Sequence, residues 1–220
     1  MSIAAGQVRG RSVEPTRRTN APRKRGDDTR AKIIDETVRC IRDEGFAAAT
    51  AKHVAERAGV TWGVIQYHFG DRNGLLMAVV DDGVAKLVDS LSSADVSGLP
   101  LRERIEAVVD TAWACYSSPT SLAAFEILRS TRGGPGEASR RHLLDMNSAI
   151  AELGRLISED PADDGVAEVI WAALRGVVLA QTIIGTPIDW QSERRALIDM
   201  VTHYLTARAV RVDRCAAMTE

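Results

Sequence analysis

Aromatic residues make up only 5% of this 220-residue chain. That scarcity, set against plentiful Ala, Leu, Val and Ile, disfavours a β-sandwich and suits a helical protein. Cysteine is scarce too. Cys40, Cys115 and Cys215 are far apart and odd in number, which argues against a disulfide framework and for a reducing, cytoplasmic setting. No apolar run follows the basic first residues, so no secretory signal is expected. The most apolar stretch, Val166 to Ile184, is interrupted by Glu168, Arg175 and Gln181. Charge there would be costly in lipid, so no membrane span is expected. Alternating strand patterns, internal repeats and glycine-rich phosphate loops are missing as well. His53, His68, His142 and His203 show no metal-ligand spacing. Neither metal nor cofactor is expected.

What is present is an uneven charge. The net charge of −2 hides a basic first third: residues 1–73 hold fourteen Lys/Arg against nine Asp/Glu, and the remainder holds fourteen against twenty-one. The N-terminal end is therefore the one suited to approach a polyanion.

Within it, Thr50 to Phe69 reads as two short helices joined by a tight turn. Thr50 is a good N-cap. Val54, Ala55 and Ala58 follow at helical spacing. Gly59 supplies the positive φ that turns the chain. Val60 is apolar inside a turn, which fits a side chain packed between two helices. Thr61 can cap the second helix, Ile65 and Phe69 face inward, and Trp62, Gly63, Gln66 and Tyr67 are left outward. This is the pattern of a helix-turn-helix whose second helix enters a DNA major groove.

The stretch has the right neighbours. An amphipathic helix with Ile33, Ile34, Thr37, Val38 and Ile41 on its buried stripe precedes it, capped at Asp27 or Asp28 and ended by Gly45. Gly70-Asp71, a cap, follows it and opens a fourth helix. Through Ala58-Gly59-Val60-Thr61, Gly63 to Phe69, and Arg72 with Leu75-Leu76, residues 28 to about 80 resemble the DNA-binding domain of the TetR family of transcriptional regulators.

The expected organisation is all-α. A disordered basic arm covers 1–27, with Arg17, Arg18, Arg23, Lys24 and Arg25 available to phosphates or the minor groove. A helix-turn-helix domain covers 28–73, the fourth helix running on from it through Leu75 to Leu91. A larger helical ligand-binding and dimerisation domain covers 74–212, and 213–220 is a tail. Helices are expected over 101–117, 119–131, 137–158, 163–185 and 190–212. The 163–185 helix is apolar on most sides and must be covered on more than one face. Residues 163–212 are therefore expected to form a two-fold homodimer interface, and the resemblance implies the same.

Two-fold symmetry would present two recognition helices to a palindromic operator on double-stranded DNA. Thr50, Lys52, Thr61, Tyr67, His68 and Arg72 form the expected phosphate set. Arg72 opposes the dipole at a helix start, a choice that suggests an external anion, and its position matches the family's phosphate-contacting lysine. Trp62, Gly63, Val64 and Gln66 form the expected base-reading set: Gln can bond both groups on adenine's edge, and Val64 can touch a thymine methyl. Many family members carry tyrosine where Gln66 stands.

The resemblance also implies a small-molecule ligand within the second domain that releases DNA. Trp113, Tyr116, Phe125, Met146, Asn147, Trp171 and Arg175 mix apolar wall with polar handles and are the candidate lining. The expected regulator is a repressor so released, with a ligand-binding activator as the alternative; the ligand's identity stays open. The competing class is an enzyme using Cys115, His142 and Asp145, a set without a nucleophile motif; the expectation is no enzyme.

Overall fold

A computed structural model describes residues 21–131, 154–158, 160, 164–186 and 188–217. These residues form eight α-helices and one 3₁₀ turn, with no strand among them. The helices are α1 (Ala21–Glu44), α2 (Ala51–Ala58), α3 (Trp62–Phe69), α4 (Arg72–Ser92), α5 (Leu101–Tyr116), α6 (Pro119–Ser130), α7 (Asp164–Ile184) and α8 (Gln191–Ala217). The all-α expectation holds.

Two boundaries differ from the sequence reading. Helix α1 begins at Ala21, ahead of the expected cap at Asp27 or Asp28, so the second part of the basic arm is helical. Pro22 explains this: in the first turn its missing N–H costs nothing and its φ is already set for helix. Arg23, Lys24 and Arg25, all fair helix formers, do not stop propagation. Arg17 and Arg18 lie outside the described residues. At the other end α8 continues to Ala217, five residues past the expected end. The expected 137–158 helix falls mostly outside the described residues; only its end is seen, where Ile157 is buried.

Apolar side chains gather into two cores. The first holds Ile33, Ile34, Val38 and Ile41 of α1, Val54, Ala55 and Ala58 of α2, Ile65 of α3, and Leu75 to Val80 of α4. Thr37 on the same stripe is fully buried and donates its hydroxyl to the Ile33 carbonyl at 2.8 Å, so it adds no unsatisfied polar atom. The second core holds Leu87 and Leu91 of α4 with α5, α7 and α8. Helix α4, about 30 Å long, thus has one end in each core.

Helix α6 does the same sideways. Its Ala123, Ala124 and Ile127 are buried in the first core, while Phe125 packs on the second. Packing therefore continues across position 73. At the α4–α6 crossing Gly83 lies so close that a Cβ there would meet Thr120 Cγ2 at 3.7 Å and Ala124 Cβ at 3.8 Å. Ion pairs tie α5 to α8: Arg194 donates to Asp110 and Glu106, at 2.5 and 2.8 Å through Nη2, and Arg102 reaches Asp199.

Candidate nucleic-acid interface

The turn between α2 and α3 is fixed by local chemistry. Thr50 Oγ1 accepts the backbone N–H of His53 at 3.2 Å, closing the start of α2. Gly59 ends it at φ 65°, ψ 35°. The Gly59 N–H donates to the Glu56 carbonyl and the Val60 N–H to the Ala55 carbonyl, at 3.1 and 2.9 Å. That pair of bonds is a Schellman motif, which favours an apolar residue just past the glycine. Val60 is that residue, and it packs on the first core.

Helix α3 buries Ile65 completely and leans Phe69 and Val64 on the same core. The opposite face is open: Tyr67 is 85% exposed and Trp62 46%, with Gly63 and Gln66 exposed beside them. Water gains nothing from a large aromatic left out, so this face is suited to being covered. Gly63 has open space on one side; a Cβ there would meet only Thr61 Oγ1, at 3.8 Å. Val64, of the expected base-reading set, is half-buried and leans on the core.

The α3–α4 corner sets how that face is presented. Asp71 caps α4 by accepting the Gly74 N–H at 2.8 Å. A Cβ on Gly74 would stand 2.0 Å from the Phe69 carbonyl oxygen. Only glycine permits this approach.

The expected phosphate set is partly gathered. Thr50 and Thr61 are exposed at successive helix starts, where free N–H groups suit an anion. Thr61 makes no side-chain capping bond, so the expected cap there is backbone only. Lys52 is exposed, 3.9 Å from Glu56. His68 is half-buried, its ring edge-on to Tyr67 with centroids 5.0 Å apart.

Arg72 has partners that its sequence position does not show. Its Nε donates to the Ala49 carbonyl at 2.7 Å and its Nη2 to the Phe46 carbonyl at 3.2 Å. The guanidinium carbon lies 4.8 Å from the Phe46 ring centroid. Backbone carbonyls thus give the cation partners within the protein at this helix start.

Sequence reasoning also missed Arg57. This α2 residue donates to Glu36 at 2.7 Å and to Glu44, binding α2 to α1. The guanidinium is held more firmly charged by those hydrogen bonds, Glu36 first.

In the second core, Trp113 packs on Trp190 with centroids 4.4 Å apart, and Tyr116 lies edge-on to Phe125 at 5.3 Å and to Trp171 at 4.6 Å. Burial pushes the Tyr116 phenol up, slightly opposed by the Arg175 charge. Trp171 is 3% exposed, and its indole N–H has no partner among the described residues. It lines a cavity of about 20 Å³ with Leu91, Val108, Ala112, Ile157, Ala167 and Ile170, room for one water. Met146 and Asn147 lie outside the described residues, as do His142 and Asp145 of the enzyme reading; Cys115 is half-buried with a free thiol.

A larger groove of about 410 Å³ runs between α7 and α8, lined by Val166, Val169, Leu197, Met200, Val201 and Tyr204 with Gly165. Val169, Met200 and Tyr204 are exposed. By length and composition alone Gly165–Ile184 could cross a membrane, at a mean hydropathy of 1.5; its inner face packs on α5 and α8 through Ile170, Leu174 and Val178.

Comparison with known proteins agrees with this geometry. Residues 33–79 match the family model described as bacterial regulatory proteins, tetR family. The HTH-type transcriptional regulator BetI of Escherichia coli O17:K52:H18 (strain UMN026 / ExPEC) is 37% identical over 173 residues, 73% of this chain and 85% of that protein. BetI of Rhizobium meliloti (strain 1021) is 27% identical over 182 residues, 81% and 90% of the two chains. Among solved structures, FadR of Bacillus subtilis in complex with stearoyl-CoA superimposes with a TM-score of 0.61 at 13% identity, covering 78% of this chain and 96% of that one.

Proposed function

This chain belongs to the TetR family of bacterial regulatory proteins, and on that premise we propose that it works as a homodimeric, cytoplasmic repressor that a small molecule releases from a palindromic operator. It is a DNA-binding transcriptional regulator. The observation that carries the reading is the open face of α3, where Trp62, Gly63, Gln66 and Tyr67 stand clear of a core that holds the rest of the helix.

Gln66 is the base reader, because its amide can bond both groups on adenine's major-groove edge. Thr50, Lys52, Thr61, Tyr67 and His68 flank it and hold phosphate and sugar. Arg72 acts behind them, bracing the frame. The apolar strip of Val169, Met200 and Tyr204 on α7 and α8 is the dimer face, repeated by a two-fold axis.

The release mechanism follows from α4 and α6. Both have side chains in the DNA-binding core and in the second core. The cavity beside Trp171 has room for one water among the described residues, so a larger ligand seated there would part α5 from α7. Ligand binding that favours the parted state draws α4 and α6 with it and alters the spacing of the recognition helices. The B. subtilis FadR structure holds stearoyl-CoA, which supports a ligand site in this fold; the ligand here is amphipathic, with an acceptor for the Trp171 N–H.

The test is selection of bound duplexes from a random DNA pool at fixed moderate salt. An enriched inverted repeat is the expected result. Recovery of no motif would reduce the protein to salt-dependent, sequence-blind binding.

A further inference from the structure

A cluster outside the DNA face has the composition of a metal site. Cys40 and Glu44 are four residues apart on α1, hence on one helix face. His53 comes from α2 and meets them. The Cys40 thiol, a Glu44 carboxylate oxygen and a His53 ring nitrogen all lie within 4.8 Å of one another. His53 Nε2 is 2.8 Å from Glu44 Oε2. A tetrahedral ion with bonds of about 2.0–2.3 Å separates its ligands by about 3.3–3.8 Å, so small side-chain shifts would close the set.

From this geometry we propose that Cys40, Glu44 and His53 bind a divalent transition-metal ion of zinc type, which clasps α1 to α2. Thiolate, imidazole and carboxylate together select such an ion over calcium or magnesium, whose sites are all oxygen. The site has a mouth and a floor: Glu44 and His53 are more than a third exposed, while Cys40 is fully buried beneath them. The C-terminus of α1, at Glu44, adds the negative end of the helix dipole. Arg57 is the competing cation. It holds Glu44 by Oε1, whereas Oε2 is the atom facing His53, and it keeps Glu36 and Asp43 as further partners. The ion therefore takes the place between Glu44 Oε2 and His53 Nε2 without evicting the arginine. A fourth position is left to water.

The experiment titrates Co²⁺ into the metal-stripped full-length protein and follows the thiolate-to-cobalt charge-transfer band, with Zn²⁺ in competition and in thermal melts. One equivalent per chain with a thiolate band is expected, together with a Zn²⁺-dependent rise in Tm. His53→Gln and Glu44→Gln, both at the surface, weaken binding tenfold or more; Cys40→Ser abolishes the band; Cys115→Ser and Cys215→Ser leave it. Should Cys40→Ser fail to fold, the two surface variants decide alone. Absence of the band at one equivalent, its survival in His53→Gln and Glu44→Gln, or its loss with Cys115 or Cys215 would overturn the site.

Discussion

The guanidinium of Arg72 stacks on the ring of Phe46 while it bonds the carbonyls of Phe46 and Ala49. A residue at the start of α4 thus closes the loop between α1 and α2. The cation that sequence places near DNA also holds the frame that presents α3.

Arg72→Ala should therefore act on folding before it acts on DNA. It leaves two carbonyls without their donor and removes a stacked cation, a loss of about 1–3 kcal/mol. Denaturant unfolding should move accordingly. Arg72→Lys recovers little, since an ammonium can neither stack flat nor donate in a fork. The slope of log binding constant against log salt should stay that of wild type. A slope lower by about one would return Arg72 to a phosphate.

Gln66→Ala removes no core contact, since Gln66 is exposed. Stability should be unchanged. Preference at one base pair per half-site should relax by roughly 1–3 kcal/mol, read by competition among single-base operator variants. Equal weakening on every variant would assign Gln66 to the backbone instead.

Two glycines on this face should respond oppositely to alanine. At Gly74 the new Cβ would collide with the Phe69 carbonyl oxygen. The α3–α4 corner must open, at about 3 kcal/mol or more. At Gly63 the Cβ meets only an ordinary contact, and alanine favours helix by up to about 1 kcal/mol. Gly63→Ala should melt no lower than wild type yet bind operator more weakly, because the methyl stands where the helix must approach DNA. A melt of Gly74→Ala matching wild type would refute the corner argument.

These contrasts mark what sequence can carry. The Thr50 and Asp71 caps, the Gly59 turn and the inward Ile65 were legible because each depends on bonds within a few residues. Val60 was legible for the same reason, as the apolar partner of a Schellman turn. The roles of Arg72 and Arg57 were not, since their partners stand 13 to 26 residues away. In α6 the large Leu122 is exposed, while Ala123, Ala124 and Ile127 are buried in the first core. Small residues at a close helix crossing carry little hydrophobic signal, which is why this second bridge between the cores went unread.

The proposed dimer face gives the last prediction. Val169, Met200 and Tyr204 are 60%, 64% and 51% exposed and line one apolar groove. A two-fold axis through that groove would bring each side chain into the contact twice, once from each subunit, so one substitution acts twice. Tyr204→Glu would bury one carboxylate from each subunit in a contact that water no longer reaches, where neither has a partner. Sedimentation should show wild type as a dimer at micromolar concentration and the variant as a monomer. The variant's α3 is untouched, so its affinity for an isolated half-site should persist. Affinity for the full palindrome should fall by about 10²–10⁴, the gain that tethering the second half-site supplies. A variant that stays dimeric would place the subunit contact elsewhere. One that becomes monomeric yet loses half-site binding as well would mean that the second core's integrity, and not only its pairing, supports the DNA-binding helices through α4 and α6.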